Sequence, residues 1–192
     1  VTVQALGEVR SGAALTRAGA CPGDDVYVSG CLGDAAFGLA ALQDGERGDD
    51  AELLRRRLDY PEPRCTLGRG LVGLASAAID ISDGLLADLG HLLRAGGVGA
   101  RVERDRIPLS PAVASRTGGE GTWRAVLAGG DDYELCFTAP SSARGRIAEL
   151  ARDLGEPVTR IGMIEAEPGL RLCDAAGLRL PLPGEGYDHF NG

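Results

Sequence analysis

The stretch AIDISDGLLADLGHLL, residues 78–93, decides the fold. Ala78 to Ile81 reads as the end of a strand, and Ser82-Asp83-Gly84 as a turn. Leu85, Leu89, Leu92 and Leu93 then fall at i, i+4, i+7 and i+8. That spacing lines the leucines along one stripe and predicts an amphipathic helix over 83–95. Asp88 and His91 lie three residues apart on this helix and read as an i, i+3 pair on its polar face.

Outward from this unit, strands and helices follow without a strict alternation. Residues 21–30 (CPGDDVYVSG) read as a turn feeding a short strand, 32–45 as a helix with a glycine-containing start, and 50–58 as a charged helix. Tyr60 to Arg64 (YPEPR) breaks the chain, and Cys65 to Ala78, small and apolar, reads as a buried helix. Downstream, strands are predicted at 99–103, 133–139 and 158–164, helices at 110–116, 122–128 and 142–154, and a hairpin over 169–180. Trp123 reads as core. Together these predict an α+β fold, a mixed or antiparallel sheet packed with helices, and not a doubly wound parallel sheet.

All 20 basic residues are arginine against 28 acids, a net charge of −8. With no lysine in the chain, a Walker A lysine, a protein-kinase strand lysine and a Schiff-base lysine are all excluded. The acidic balance argues against a nucleic-acid surface. Any phosphate would have to be held by metal ions, backbone amides or arginine. The five cysteines (Cys21, Cys31, Cys65, Cys136, Cys173) have no CxxC spacing, and only His91 and His189 accompany them. They read as reduced small hydrophobes in a cytoplasmic protein, not as a zinc site. No apolar run is long enough for a membrane span. There are 30 glycines in 192 residues, about twice the usual ~7%, spread along the chain as turns and close approaches demand.

Two carboxylate motifs carry chemistry. Asp80-Ile81-Ser82-Asp83-Gly84 joins a strand end to a helix start, where ligand crevices form in open sheets and where free N–H groups suit a phosphate. If residue 80 is extended, its two-residue spacing to Ser82 aims both side chains to one side. Two hard carboxylates beside phosphate oxygens and water also suit Mg²⁺. Helix capping is the plainer alternative. Gly129-Gly130-Asp131-Asp132-Tyr133 offers close backbone approach and two acids, or else an ordinary turn. Gly23-Asp24 reads as a turn and Gly33-Asp34 as helix capping.

Taken together, GACPGDDVYVSGCLGDAAFGL (19–39), AIDISDGLLADLGHLL (78–93), AGGDDYELCFTAP (128–140), TRIGMI (159–164) and GYDHF (186–190) resemble the thiamine-monophosphate kinase family, within the wider aminoimidazole-ribonucleotide synthetase-like superfamily. The resemblance implies transfer of the γ-phosphoryl of ATP onto thiamine monophosphate, assisted by Mg²⁺. It implies Asp80 and Asp83 as metal ligands, Ser82 and Arg17 as nucleotide contacts, and Asp131 and Tyr187 as contacts to the thiamine substrate. Family members often carry Glu at the position of Asp131, so the shorter side chain reaches about one methylene less. The resemblance further implies a homodimeric cytoplasmic enzyme with no nucleic-acid or membrane partner.

The resemblance also implies an N-terminal domain, which this chain is expected not to include. Residues 1–9 alternate and would form the last strand of that domain, with 10–192 the C-terminal α+β domain. Competing expectations are another ATP-using member of the superfamily (a selenophosphate synthetase, a hydrogenase-maturation factor or a purine-pathway synthetase) and a truncated domain without catalysis.

Overall fold

The computed structural model describes residues 2, 4, 6–116 and 120–183. In chain order its elements are β1 (Asp25–Ser29), α1 (Asp34–Gln43), α2 (Asp49–Asp59), α3 (Cys65–Gly70), β2 (Ala77–Ile81), α4 (Leu85–Gly96), β3 (Gly99–Glu103), α5 (Pro111–Ala114), α6 (Glu120–Ala128), β4 (Glu134–Ala139), α7 (Arg144–Leu154), β5 (Val158–Glu165), β6 (Gly169–Cys173) and β7 (Arg179–Leu180). The strands form one seven-stranded sheet in the order β2-β4-β1-β5-β3-β6-β7. Neighbours are antiparallel except β3 and β6. This is the α+β architecture with a mixed sheet that the sequence predicts.

Alternation along the strands divides the core between the two faces of the sheet. Val26, Val28, Ile79, Ile81, Cys136 and Val102 pack with the leucines of α4 and with Val126 and Leu127 of α6. Tyr27, Phe137 and Ala139 face the other way, onto Leu67 and Leu71 at α3 and Ile147 of α7. Tyr27 and Phe137 stack there with ring centroids 5.1 Å apart. β1 is buried along its whole length, between β4 and β5.

Several expectations need correction. The run Cys65 to Ala78 is not one helix: α3 ends at Gly70, a turn follows, and β2 starts at Ala77. A short apolar run of small residues cannot distinguish helix from strand, and here the pairing of β2 with β4 decides. Of residues 1–9, the described positions 2, 4 and 6–9 lie in no helix or strand. Trp123 packs against the core but is only part-buried, with the Arg104 guanidinium 5.0 Å from its ring centroid. All five cysteines are free, but only Cys136 and Cys173 are buried, while Cys21 and Cys65 are exposed. Burial pushes the Cys136 thiol up to about 12, so it is inert.

Candidate functional site

The pairing of β2 with β4 sets Asp80 opposite Leu135 and Ile81 opposite Glu134. It therefore brings the turn after β2 against the loop before β4. The two loops are joined through their backbones: the Asp131 N–H donates to the Ser82 carbonyl, and the Tyr133 N–H to the Ile81 carbonyl, each at 2.9 Å. The approach leaves no room for a side chain at Gly130, where a Cβ would run into the Ser82 carbonyl oxygen. At Gly84, φ is 106° and a Cβ would lie 2.9 Å from the Ala128 carbonyl carbon at the end of α6. Asp131 and Tyr133 hold φ of 67° and 50° without being glycine, which costs of order 1–3 kcal/mol at each and marks an over-determined loop.

Asp80, at the strand end, and Asp131 are exposed, and Asp83 is half-buried. Their charges converge on Tyr133: burial and the Asp131 carboxylate push its phenol up first, and Asp80 and Asp83 add to the shift. Its hydroxyl donates to Asp131 Oδ1 at 3.3 Å, and its ring stays 43% exposed. The structure thus gathers Asp80, Ser82, Asp83 and Asp131 at one end of the sheet.

Arg17 is not among them. It is exposed in a turn beside the start of β2, where Thr16 O accepts the Ala78 N–H. At about 3.3 Å per strand residue, that point is roughly 13 Å along β2 from Ser82. Tyr187 lies outside the described residues.

Four residues near the site take roles that the sequence reading did not give them. Asp88 does not pair with His91 on a polar face. It is buried, and its carboxylate accepts the N–H groups of Ser82 and Asp83, while exposed His91 meets Arg94. Two amides of the turn leading into α4 are therefore occupied. The signal lay in the leucine stripe: Asp88 stands three after Leu85 and four before Leu92, on the buried face.

Asp132 points away from Asp131, to the start of α1, accepting from Gly33 N at 2.8 Å and Ala35 N at 3.3 Å. This carboxylate, 99 residues distant in sequence, caps α1. Asp34 does not cap it but takes the Ser110 hydroxyl at 2.5 Å and faces Arg57. Glu134, buried, accepts the Ser29 hydroxyl and a two-pronged contact from Arg64 at 2.6 and 2.7 Å. Cys31, Asp34, Arg57, Glu62, Asp132 and Glu134 line a small cleft behind the loops. Burial and Asp34 push the Cys31 thiol up, away from nucleophilic chemistry.

Loss of water pushes the Asp132 carboxyl from 3.8 up to about 7, against the downward pull of its two amide bonds. The native state then keeps a proton that the unfolded chain releases, so this group lowers stability as pH rises from about 4 to about 7. Asp132→Asn should remove that slope. Urea unfolding should show the stability of wild type relative to the variant falling by on the order of 3 kcal/mol across this window. A pH-independent difference would mean that Asp132 ionises normally.

The C-terminal domain family of AIR synthase related proteins matches residues 22–174. The thiamine-monophosphate kinase of Salmonella typhimurium is 44% identical over 99% of this chain, which spans 59% of that protein. A solved thiamine-monophosphate kinase from Stenotrophomonas maltophilia is 46% identical, with a TM-score of 0.82 over 85% of this chain and 54% of that one. The structure of AaThiL complexed with AMPPCP and TMP is 31% identical, with a TM-score of 0.77 over 92% of this chain and 54% of that one. This chain therefore belongs to the AIR synthase related protein C-terminal domain family.

Proposed function

We propose that this chain is the C-terminal part of a thiamine-monophosphate kinase, which transfers the γ-phosphoryl of ATP to thiamine monophosphate and yields thiamine diphosphate. The observation that carries the reading is the joining of the Asp80–Asp83 turn to the Asp131 loop, in a chain similar to AaThiL complexed with an ATP analogue and TMP. The acceptor is itself a phosphate, so no strong general base is needed, and positioning with charge neutralisation carries the rate.

The residues fit Mg²⁺ as an open site. The donors are hard carboxylate oxygens. Among the described residues no group of three or more candidate ligands forms a closed cage, so water and phosphate oxygens would complete the shell. Asp80 and Asp83 would hold the ion, which when bound supplies neutralisation of the phosphates. Ser82 contacts the nucleotide between them, and Arg17 meets the nucleotide from farther along β2. Asp131, held by its left-handed backbone and by Tyr133, faces the thiamine substrate, with Tyr187 as the second substrate contact. No described helix is long and apolar enough to cross a membrane, and the reading places the enzyme in the cytoplasm as a homodimer.

Phosphoryl transfer from ATP to thiamine monophosphate should be assayed with Mg²⁺ on this chain and on a form extended upstream to the length of its relatives. Activity only in the extended form is expected, because this chain spans 59% of such a relative. Activity in neither would move the assignment to another reaction of the superfamily.

A further inference from the structure

Asp88 sits one turn inside α4 at 4% exposure, away from any substrate contact assigned above. Its Oδ2 accepts the backbone N–H of Ser82 and of Asp83, both at 2.9 Å. Successive N–H groups in a turn can form a concave anion seat. Here the chain's own carboxylate occupies that seat from the inside. The opposite side of the same turn is fixed by the Asp131 N–H on the Ser82 carbonyl and by the Gly130 backbone. Held from both sides, the turn has little freedom to redirect the Asp83 side chain. With these two amides engaged, the carboxylates of Asp80 and Asp83 repel a bare phosphate and attract a cation.

We propose that Asp88 is a positioning residue that closes the Ser82 and Asp83 amides to phosphate and so makes this turn accept a nucleotide only as its metal complex. This rests on the reading of Asp80 and Asp83 as metal ligands. A mere helix cap would make the same two hydrogen bonds, but it would not set the preference between cation and anion.

Backbone amide NMR on this chain tests the difference, with Mn²⁺ alone and inorganic phosphate alone as probes. In wild type, Mn²⁺ should broaden the resonances of Asp80 to Gly84, and phosphate should leave the Ser82 and Asp83 amides unmoved. Asp88→Asn keeps the side-chain shape but not the charge. It should raise the Mn²⁺ midpoint at least about tenfold, the lower end of what loss of an outer partner costs a metal site. It should also let phosphate shift the two amides, while the amides of β1 stay in place and report an intact fold. An unchanged Mn²⁺ midpoint in the variant reduces Asp88 to a cap and overturns the proposal. So does a phosphate shift at these amides in wild type, a result that needs no variant to fold. Absence of Mn²⁺ broadening in wild type instead removes the metal reading of Asp80 and Asp83, and the proposal with it.

Discussion

Asp80→Asn and Asp83→Asn, each made in the protein extended to the length of its relatives, should each cut phosphoryl transfer at least about 100-fold. A bound metal supplies several kcal/mol of charge stabilisation in such reactions, and about 1.4 kcal/mol corresponds to tenfold in rate. On the proposal that both residues hold the metal, loss of one ligand, at about 3 kcal/mol, gives the figure. Asp80 is exposed at the strand end and Asp83 is half-buried in a turn fixed by other groups. Thermal unfolding should therefore move little, as for most substitutions away from the core. Steady-state kinetics on the folded variants checks this, and a wild-type rate in either would return that residue to a helix-capping role.

Glu134→Ala should cost the fold about 3–5 kcal/mol, the usual result of breaking a buried ion pair. Side-chain exposure is 6% for Glu134 and 9% for Arg64. Truncation would thus leave the mostly buried guanidinium with only the exposed Glu62 carboxylate, at 3.3 Å, and the Ser29 hydroxyl without its acceptor. Against a total stability of about 5–15 kcal/mol, the loss is large. Arg64→Met alone strands the carboxylate, whereas Glu134→Ala with Arg64→Met removes both charges and should cost less than the sum. Urea unfolding of the four forms closes the cycle. A loss under about 1 kcal/mol for Glu134→Ala would mean that the pair behaves as a solvated surface contact.

The parts of this architecture legible in the sequence are those set by local periodicity. The leucines of α4, the breaks at Pro61 and Pro63 and the short apolar runs of β4 and β5 are each local features. The boundary between α3 and β2 was not legible, because Cys65 to Ala78 is apolar and small throughout and only the distant β4 tells the two apart. At the site, the two acidic motifs could be recognised, but not how their acids divide the work. In Asp131-Asp132 nothing local says which faces solvent, since the deciding partner is the start of α1, 99 residues away. Glu134 likewise meets Arg64 across 70 residues. Asp88 is the instructive case: its position on the leucine stripe was visible, but its polarity suggested the wrong face.

The sheet order carries a consequence for how the molecule comes into being. β1 lies between β4 and β5, with Asp25 opposite both Ala139 and Met163, and among the described residues β2 meets no strand but β4. Pairings of such long sequence separation form slowly, because a large loop must close before any contact repays its lost freedom. On a chain that emerges N-terminus first, β1 and β2 have no described strand to join until Glu134–Ala139 has been made. Both halves of the acidic site then assemble in one late event, when β4 enters between β1 and β2. A nascent chain short of that point carries the Asp80 turn without the loop that locks it, so the capacity to gather charge at that turn and the completed sheet arise together.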